Sequence, residues 1–246
     1  MERDQATIWL LTCGAVTPVL FISVLLIDGA VRQGYDPAIT PVSQLLLGDR
    51  GWLETFTFVL SGLLTVAFAV GLRRVQTVSP GSRWGPIMVG VAGLGLVIAG
   101  VFMPDPAFGY PPGTPSGEIQ SYSWHATVHL LAALLVFGGL PIACFIFARH
   151  FRTARDAEWS IYSLVSGLAM LVAFVLYAAG ASGAGGLEPI VGWLERASIV
   201  IGFAWIALLA FRFLRSPAVV PRERLPSVEV SWTDRAARQH GVMGAR

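Results

Sequence analysis

Six apolar runs of about twenty residues each, at 7–27, 52–72, 84–102, 125–147, 160–179 and 190–211, dominate this chain and leave it few ways to fold. A bilayer core is about 30 Å thick, and a helix rising 1.5 Å per residue needs roughly 20 apolar residues to cross it. The chain is 54% hydrophobic and only 13% charged over 246 residues, which is too apolar for a soluble domain of that length. The runs predict an all-α, polytopic bundle of six transmembrane helices within residues 1–215. The first run follows Glu2 and Asp4, is long, and lacks a small-x-small cleavage pattern, so it reads as a membrane helix rather than a signal peptide.

Charge orients this plan. All 17 basic residues are arginine, and Arg3, Arg73, Arg74, Arg83, Arg149, Arg152, Arg155 and every arginine from Arg212 onward fall on one side. Basic residues favour the cytoplasmic face, which places both termini inside and predicts a multi-pass protein of the cell membrane. The opposite face carries Arg32, Arg50 and Arg196 against Asp28, Asp36, Asp49, Glu54, Asp105, Glu118, Glu188 and Glu195. Two long connections, about 28–51 and 103–123, lie on that outer face. Loops of this length without regular structure are uncommon unless they have a task, and Tyr35, Leu45, Leu46, Leu47, Phe108 and Tyr110 mark them as ordered caps over the bundle mouth. Residues 216–246, proline-punctuated and polar, read as a disordered cytoplasmic tail. Cys13 and Cys144 lie inside predicted helices and read as small buried apolar residues.

Candidate chemistry gathers at the outer mouth. In SYSWHATVHLL, His125 and His129 are four apart and share one helical face, so both imidazoles can meet one ion or one substrate. With Asp105, Glu54 or Glu195 they supply the inventory of a catalytic zinc site. The same segment reads H-A-T-V-H, without the adjacent catalytic glutamate of H-E-x-x-H. The plainer alternative has both histidines bonding loop backbone at the membrane interface. Glu195 and Arg196 lie within an apolar run, where ionisable groups are costly; they are candidates for substrate contact or for a structural interhelical pair. Ser43 is a helix cap or a nucleophile near a histidine, and Tyr110 opens a rigid Y-P-P-G turn with a binding surface. Gly51-Trp52-Leu53-Glu54 recurs as Gly192-Trp193-Leu194-Glu195, either a duplicated hairpin or two helix starts with the same needs. The chain has no lysine, no phosphate-binding glycine loop, no G-x-S-x-G elbow and no nucleic-acid module.

The segments PVSQLLLGDRGW (41–52), GVFMPDPAFGYPPGTP (100–115) and SWHATVHLLAALLVF (123–137) occur in that order in a six-helix frame. In this the chain resembles an uncharacterised bacterial and archaeal membrane family, domain of unknown function 998, over about residues 7–215. The resemblance draws attention to Ser43, Gly48, Asp105 and His125 and implies no activity. The lysine-free, arginine- and alanine-rich composition resembles actinobacterial usage. A looser likeness is to the membrane hydrolases that include alkaline ceramidases and adiponectin receptors, where Ser, Asp and His hold zinc; here six helices stand in place of seven and a third histidine is lacking.

Three functions follow. The first is a non-catalytic accessory, transport-related or sensing subunit without a cofactor, whose partners are the bilayer and another membrane protein or a second copy of itself. The second is an enzyme acting on a lipid or isoprenoid-like substrate, with zinc as the alternative to no cofactor, through His125, His129, Asp105 and Glu54. The third is a proton or small-solute carrier using Glu195, Arg196 and the histidines. An enzyme of that kind requires the histidines and a carboxylate to converge, a carrier requires a polar path through the bundle, and an accessory protein requires neither.

Overall fold

Helix starts are set by short polar side chains facing the amides that a first turn leaves without partners. Asp4 accepts from the Thr7 amide at 3.1 Å to start α1 (Gln5–Val31), Ser123 from Ala126 at 3.2 Å to start α4 (Trp124–Thr153), and Asp156 from Trp159 at 3.3 Å to start α5 (Ala157–Ala181). With α2 (Gly51–Val75), α3 (Trp84–Val101) and α6 (Val191–Arg215) these make six helices, all long and apolar enough to cross a membrane. The computed structural model describes residues 4–75, 83–116 and 121–216. The predicted tail beyond Ser216, Arg3 and Glu118 lie outside the described residues, among which there is no β-strand.

The helices overrun the apolar runs, α1 reaching Val31, α4 Thr153 and α6 Arg215. Helical hydrogen bonding propagates along the backbone regardless of side-chain polarity, so a hydropathy boundary marks where the apolar stretch ends and not where the helix does. One consequence matters for function: Asp28 belongs to the last turn of α1 and lies one turn from Arg32, its C-cap.

Each helix packs against its neighbours in sequence, and α6 closes on α1, so the six form a ring. At mid-height Phe21 stacks on Phe203 with centroids 4.7 Å apart and tilts against Phe58 at 5.0 Å. Toward the arginine end the interior is Leu11, Phe68, Leu72, Cys144, Phe147, Trp205 and Leu209, all fully buried. Lipid tails are as apolar as these side chains, so packing contact and hydrogen bonds, rather than exclusion of water, must hold such a ring together. Gly62 of α2 and Gly93 of α3 show the contact: a Cβ on either would come within 2.6–2.8 Å of the other's carbonyl oxygen. The arginine end is pinned by Arg212, which donates to Asp156 at 2.7 Å. The half-exposed Arg74 lies 3.7 Å from Asp4, a surface pair of the sort that contributes about 0–1 kcal/mol.

Candidate functional site at the capped end of the bundle

Opposite the arginine end, the first long loop folds into a plug. A short 3-10 turn, Val42–Leu46, drops Val42, Leu45 and Leu46 into the mouth of the ring, where all are buried. A turn at this depth leaves carbonyl oxygens without water, and two buried arginines supply the donors. From the end of α1, Arg32 donates to Asp28 Oδ2 and to the carbonyls of Leu45 and Leu47, each at 2.8 Å, and to the Tyr110 hydroxyl at 3.0 Å. From α6, Arg196 donates to the carbonyls of Pro37 at 2.8 Å, Thr40 at 3.1 Å and Gly192 at 2.9 Å, and to the Tyr35 hydroxyl. Its guanidinium also lies over the rings of Tyr35, at 5.4 Å, and Trp193, at 5.9 Å. The planar fork of an arginine suits this use, because its donors reach several carbonyls at once.

The repeated GWLE motif has a structural meaning at this plug. Gly51 and Gly192 each start a helix directly beneath loop backbone: an added Cβ would sit 2.1 Å from the Leu46 oxygen at Gly51 and 2.4 Å from the Pro37 oxygen at Gly192. Trp52 and Trp193 are exposed, as residues at a lipid headgroup boundary are, and Glu54 and Glu195 turn inward and are buried. The two motifs therefore flank one loop and perform the same tasks on either side of it.

The second long loop is stitched to the first and to α4. Buried Gln44 donates to the Asp105 carbonyl at 2.9 Å and accepts from the Ala107 amide at 3.1 Å. Tyr110 meets Tyr35 edge-on at 5.4 Å. Asp105 accepts from the amide and the hydroxyl of Ser123, both at 2.7 Å, and so orients the cap of α4. Partial burial works against its charge, but those two donations and the nearby His125 imidazole hold the Asp105 carboxyl below the ordinary aspartate value of 3.8.

The histidines do not converge. His125 Nδ1 is 3.0 Å from the Met103 oxygen, and its Nε2 is 4.0 Å from Asp105. His129 Nδ1 lies 2.7 Å from the Phe102 oxygen and 3.0 Å from the Ala99 oxygen. Carbonyls only accept, so His129 Nδ1 is the protonated, donating nitrogen, and both rings fasten α4 to the end of α3. Among the described residues no three His, Cys, Asp or Glu side chains come together as a metal-binding group. The donor set thus does not fit the three-ligand zinc arrangement, and Glu54, on α2, joins a different neighbourhood. There it is fully buried beside Asp28, and both Glu54 oxygens and Asp28 Oδ1 lack a hydrogen-bond partner, with Arg50 Nη2 3.4 Å from that Asp28 oxygen.

What the arrangement leaves open is a cavity of about 40 Å³ beneath the plug. Its walls are mostly apolar, with Phe21, Phe58 and Phe203 among them, and its polar lining is Ser43 from the turn, His129 from α4 and Glu195 from α6. Glu195 Oε2 accepts from the Val42 amide. No hydrogen bond joins Ser43 to His129, although both line the cavity. Of the predicted site residues, then, Ser43, His129 and Glu195 meet at one cavity; Arg196, Tyr110, Asp105 and His125 hold the cap; Glu54 stands apart with Asp28. Sequence reasoning gave no role to Arg32, Asp28 and Gln44. The first two carried a signal, an acid and a base four apart at the end of an apolar run.

A family model described as "Protein of unknown function (DUF998)" matches residues 15–212, the ring without the first ten residues of α1 and the last three of α6. No curated protein and no solved structure matches the chain.

Proposed function

We propose, for a chain that belongs to the DUF998 family of proteins of unknown function, a non-catalytic role as an accessory, transport-related or sensing component of the cell membrane. On this reading the capped end faces outward, the arginine end faces the cytoplasm, and a small solute binds at Ser43, His129 and Glu195. Its partners are the bilayer and another membrane protein or a second copy of the chain, with no nucleic acid.

The observation that carries the reading is the allocation of polar groups at the capped end. Both buried arginines, Asp105 and His125 are engaged in closing two loops over the ring, and one nitrogen of His129 ties α4 to the end of α3. Ser43, His129 and Glu195 line a small cavity beneath the plug. A carrier of protons or ions would need the polarity to continue, yet α1 carries no acid, base or histidine from Gln5 to Ile27, α2 none from Thr55 to Leu72, α4 none from Leu130 to Ala148 and α6 none from Ala197 to Phe211. Of the buried hydroxyls along the way, Thr17 donates to the Cys13 carbonyl and Thr65 to the Ser61 carbonyl of their own helices, each at 2.8 Å, and Ser198 of α6 donates to the Met170 carbonyl of α5 at 3.0 Å.

The test is a flux assay. Purified protein in liposomes enclosing a pH-sensitive dye, given a pH step, is expected to dissipate the gradient no faster than protein-free liposomes. Protein-dependent flux that Glu195→Gln removes would overturn the binding reading in favour of a carrier.

A further inference from the structure

The cavity under the plug carries a more specific statement than its location. His129 and Glu195 are each more than nine-tenths buried, come from α4 and α6, and both line it. Because His129 Nδ1 is the donor to the Phe102 and Ala99 carbonyls, the other ring nitrogen, Nε2, is a bare acceptor. It lies on the edge of the ring turned away from those carbonyls and has no protein partner. Glu195 is in the same position: one oxygen takes the Val42 amide, and the second has no donor. Acceptors on two helices therefore face a shared space to which the surrounding protein contributes carbon, aromatic faces and the Ser43 hydroxyl.

An occupant must satisfy three conditions. It must donate hydrogen bonds in at least two directions, it must fit about 40 Å³, and it must tolerate the faces of Phe21, Phe58 and Phe203. A cavity of this size takes a few water-sized groups and excludes a lipid headgroup or a sugar. Alkali and alkaline-earth ions are matched poorly, because they want several oxygen ligands, and here one carboxylate oxygen and one hydroxyl are accompanied by a nitrogen and hydrocarbon. A small N–H cation is matched well: it donates to Nε2 and to the carboxylate, offers a third bond to Ser43, and presents its remaining positive face to aromatic rings.

We propose that this cavity is a binding site for ammonium or a methylammonium-sized primary amine, held between Glu195 and His129 under the loop plug. The proposal deepens the solute-binding reading above and rests on it. The apolar interior toward the arginine end makes it a site and not a pathway.

The experiment is thermal unfolding of the full chain in detergent or nanodiscs, titrated with ammonium chloride at constant ionic strength against sodium chloride and tetramethylammonium chloride. Tetramethylammonium keeps the charge and loses every N–H donor. The expected result is a saturable rise in Tm of roughly 2–4 °C with ammonium alone. Glu195→Gln keeps an acceptor for the Val42 amide while removing the charge, and His129→Asn keeps a donor for the α3 carbonyls while removing the acceptor at the Nε2 position, which its shorter side chain does not reach; each is expected to abolish the rise. Equal Tm in all three salts overturns the proposal on the wild-type protein alone, whatever the variants do. An ammonium-specific rise that persists in both variants overturns it by placing the ion elsewhere. Neither failure touches the solute-binding reading, which falls instead on protein-dependent flux in liposomes.

Discussion

Arg196 illustrates why one residue type is required where its charge alone would not suffice. Its side chain satisfies three carbonyls and a tyrosine hydroxyl that have no access to water, and each buried acceptor left without a donor costs about 1–3 kcal/mol. Arg196→Lys preserves the charge but not the fork, so we expect a loss of about 2–4 kcal/mol, read as the shift in a denaturation midpoint. Asp105 gives the corresponding pH prediction. Its carboxyl titrates below 3.8 in the folded protein because Ser123 donates to it twice, so over that acid window the unfolded chain binds the proton more readily. Its contribution to stability is complete above the unfolded value and is lost as pH falls through the lower folded value. A plot of stability against pH for Asp105→Asn should be flatter than wild type below pH 3.8 and parallel to it near neutrality. Residue identity made Glu195 and Arg196 legible in the sequence, because ionisable groups at membrane depth are costly, and it made Asp105 and His129 legible as members of a possible ligand set. Their partners were not legible: most are backbone carbonyls of a distant loop, and a carbonyl leaves no mark in an amino-acid sequence.

At the scale of elements, the plug depends on two helix starts that permit backbone to lie directly upon them. Gly192→Ala would force its Cβ to within 2.4–2.9 Å of the Pro37, Thr40 and Ala38 oxygens, and rigid backbone on all three sides cannot give way cheaply. A loss of about 1–3 kcal/mol is expected. Gly138→Ala is the control: it lies within α4 with nothing near its Cβ position, so the change should be neutral or stabilising by up to about 1 kcal/mol through helix propensity. Thermal unfolding of the two variants side by side checks the contrast, and equal stability would mean that the loop does not rest on α6. The six helices were readable because length and hydropathy fix them nearly alone. The plug was readable only in part. Its apolar residues and its length pointed to a cap, whereas the 3-10 turn, the Gln44 stitch and the shared role of the GWLE motifs come from contacts between segments far apart in sequence.

The six helices form a closed ring, fastened by polar contacts at both ends and packed with apolar side chains between them. Since lipid provides no hydrophobic drive for helices to associate, these end contacts and the glycine-mediated approaches carry more of the stability than they would in water. The ring also explains why the two histidines do not converge: four-residue spacing places two side chains on one face, but the closing loop and the end of α3 claim each imidazole separately. The central claim is that the loop at residues 32–50 is a fixed plug held by buried arginines. Hydrogen–deuterium exchange of the amides at residues 40–47, in wild type and in Arg196→Lys, tests it most directly. The account predicts exchange in wild type as slow as in the first turns of α2 and α6, and exchange about tenfold or more faster in the variant. Amides that exchange in wild type at the rate of an open chain, or a variant indistinguishable from wild type, would contradict it.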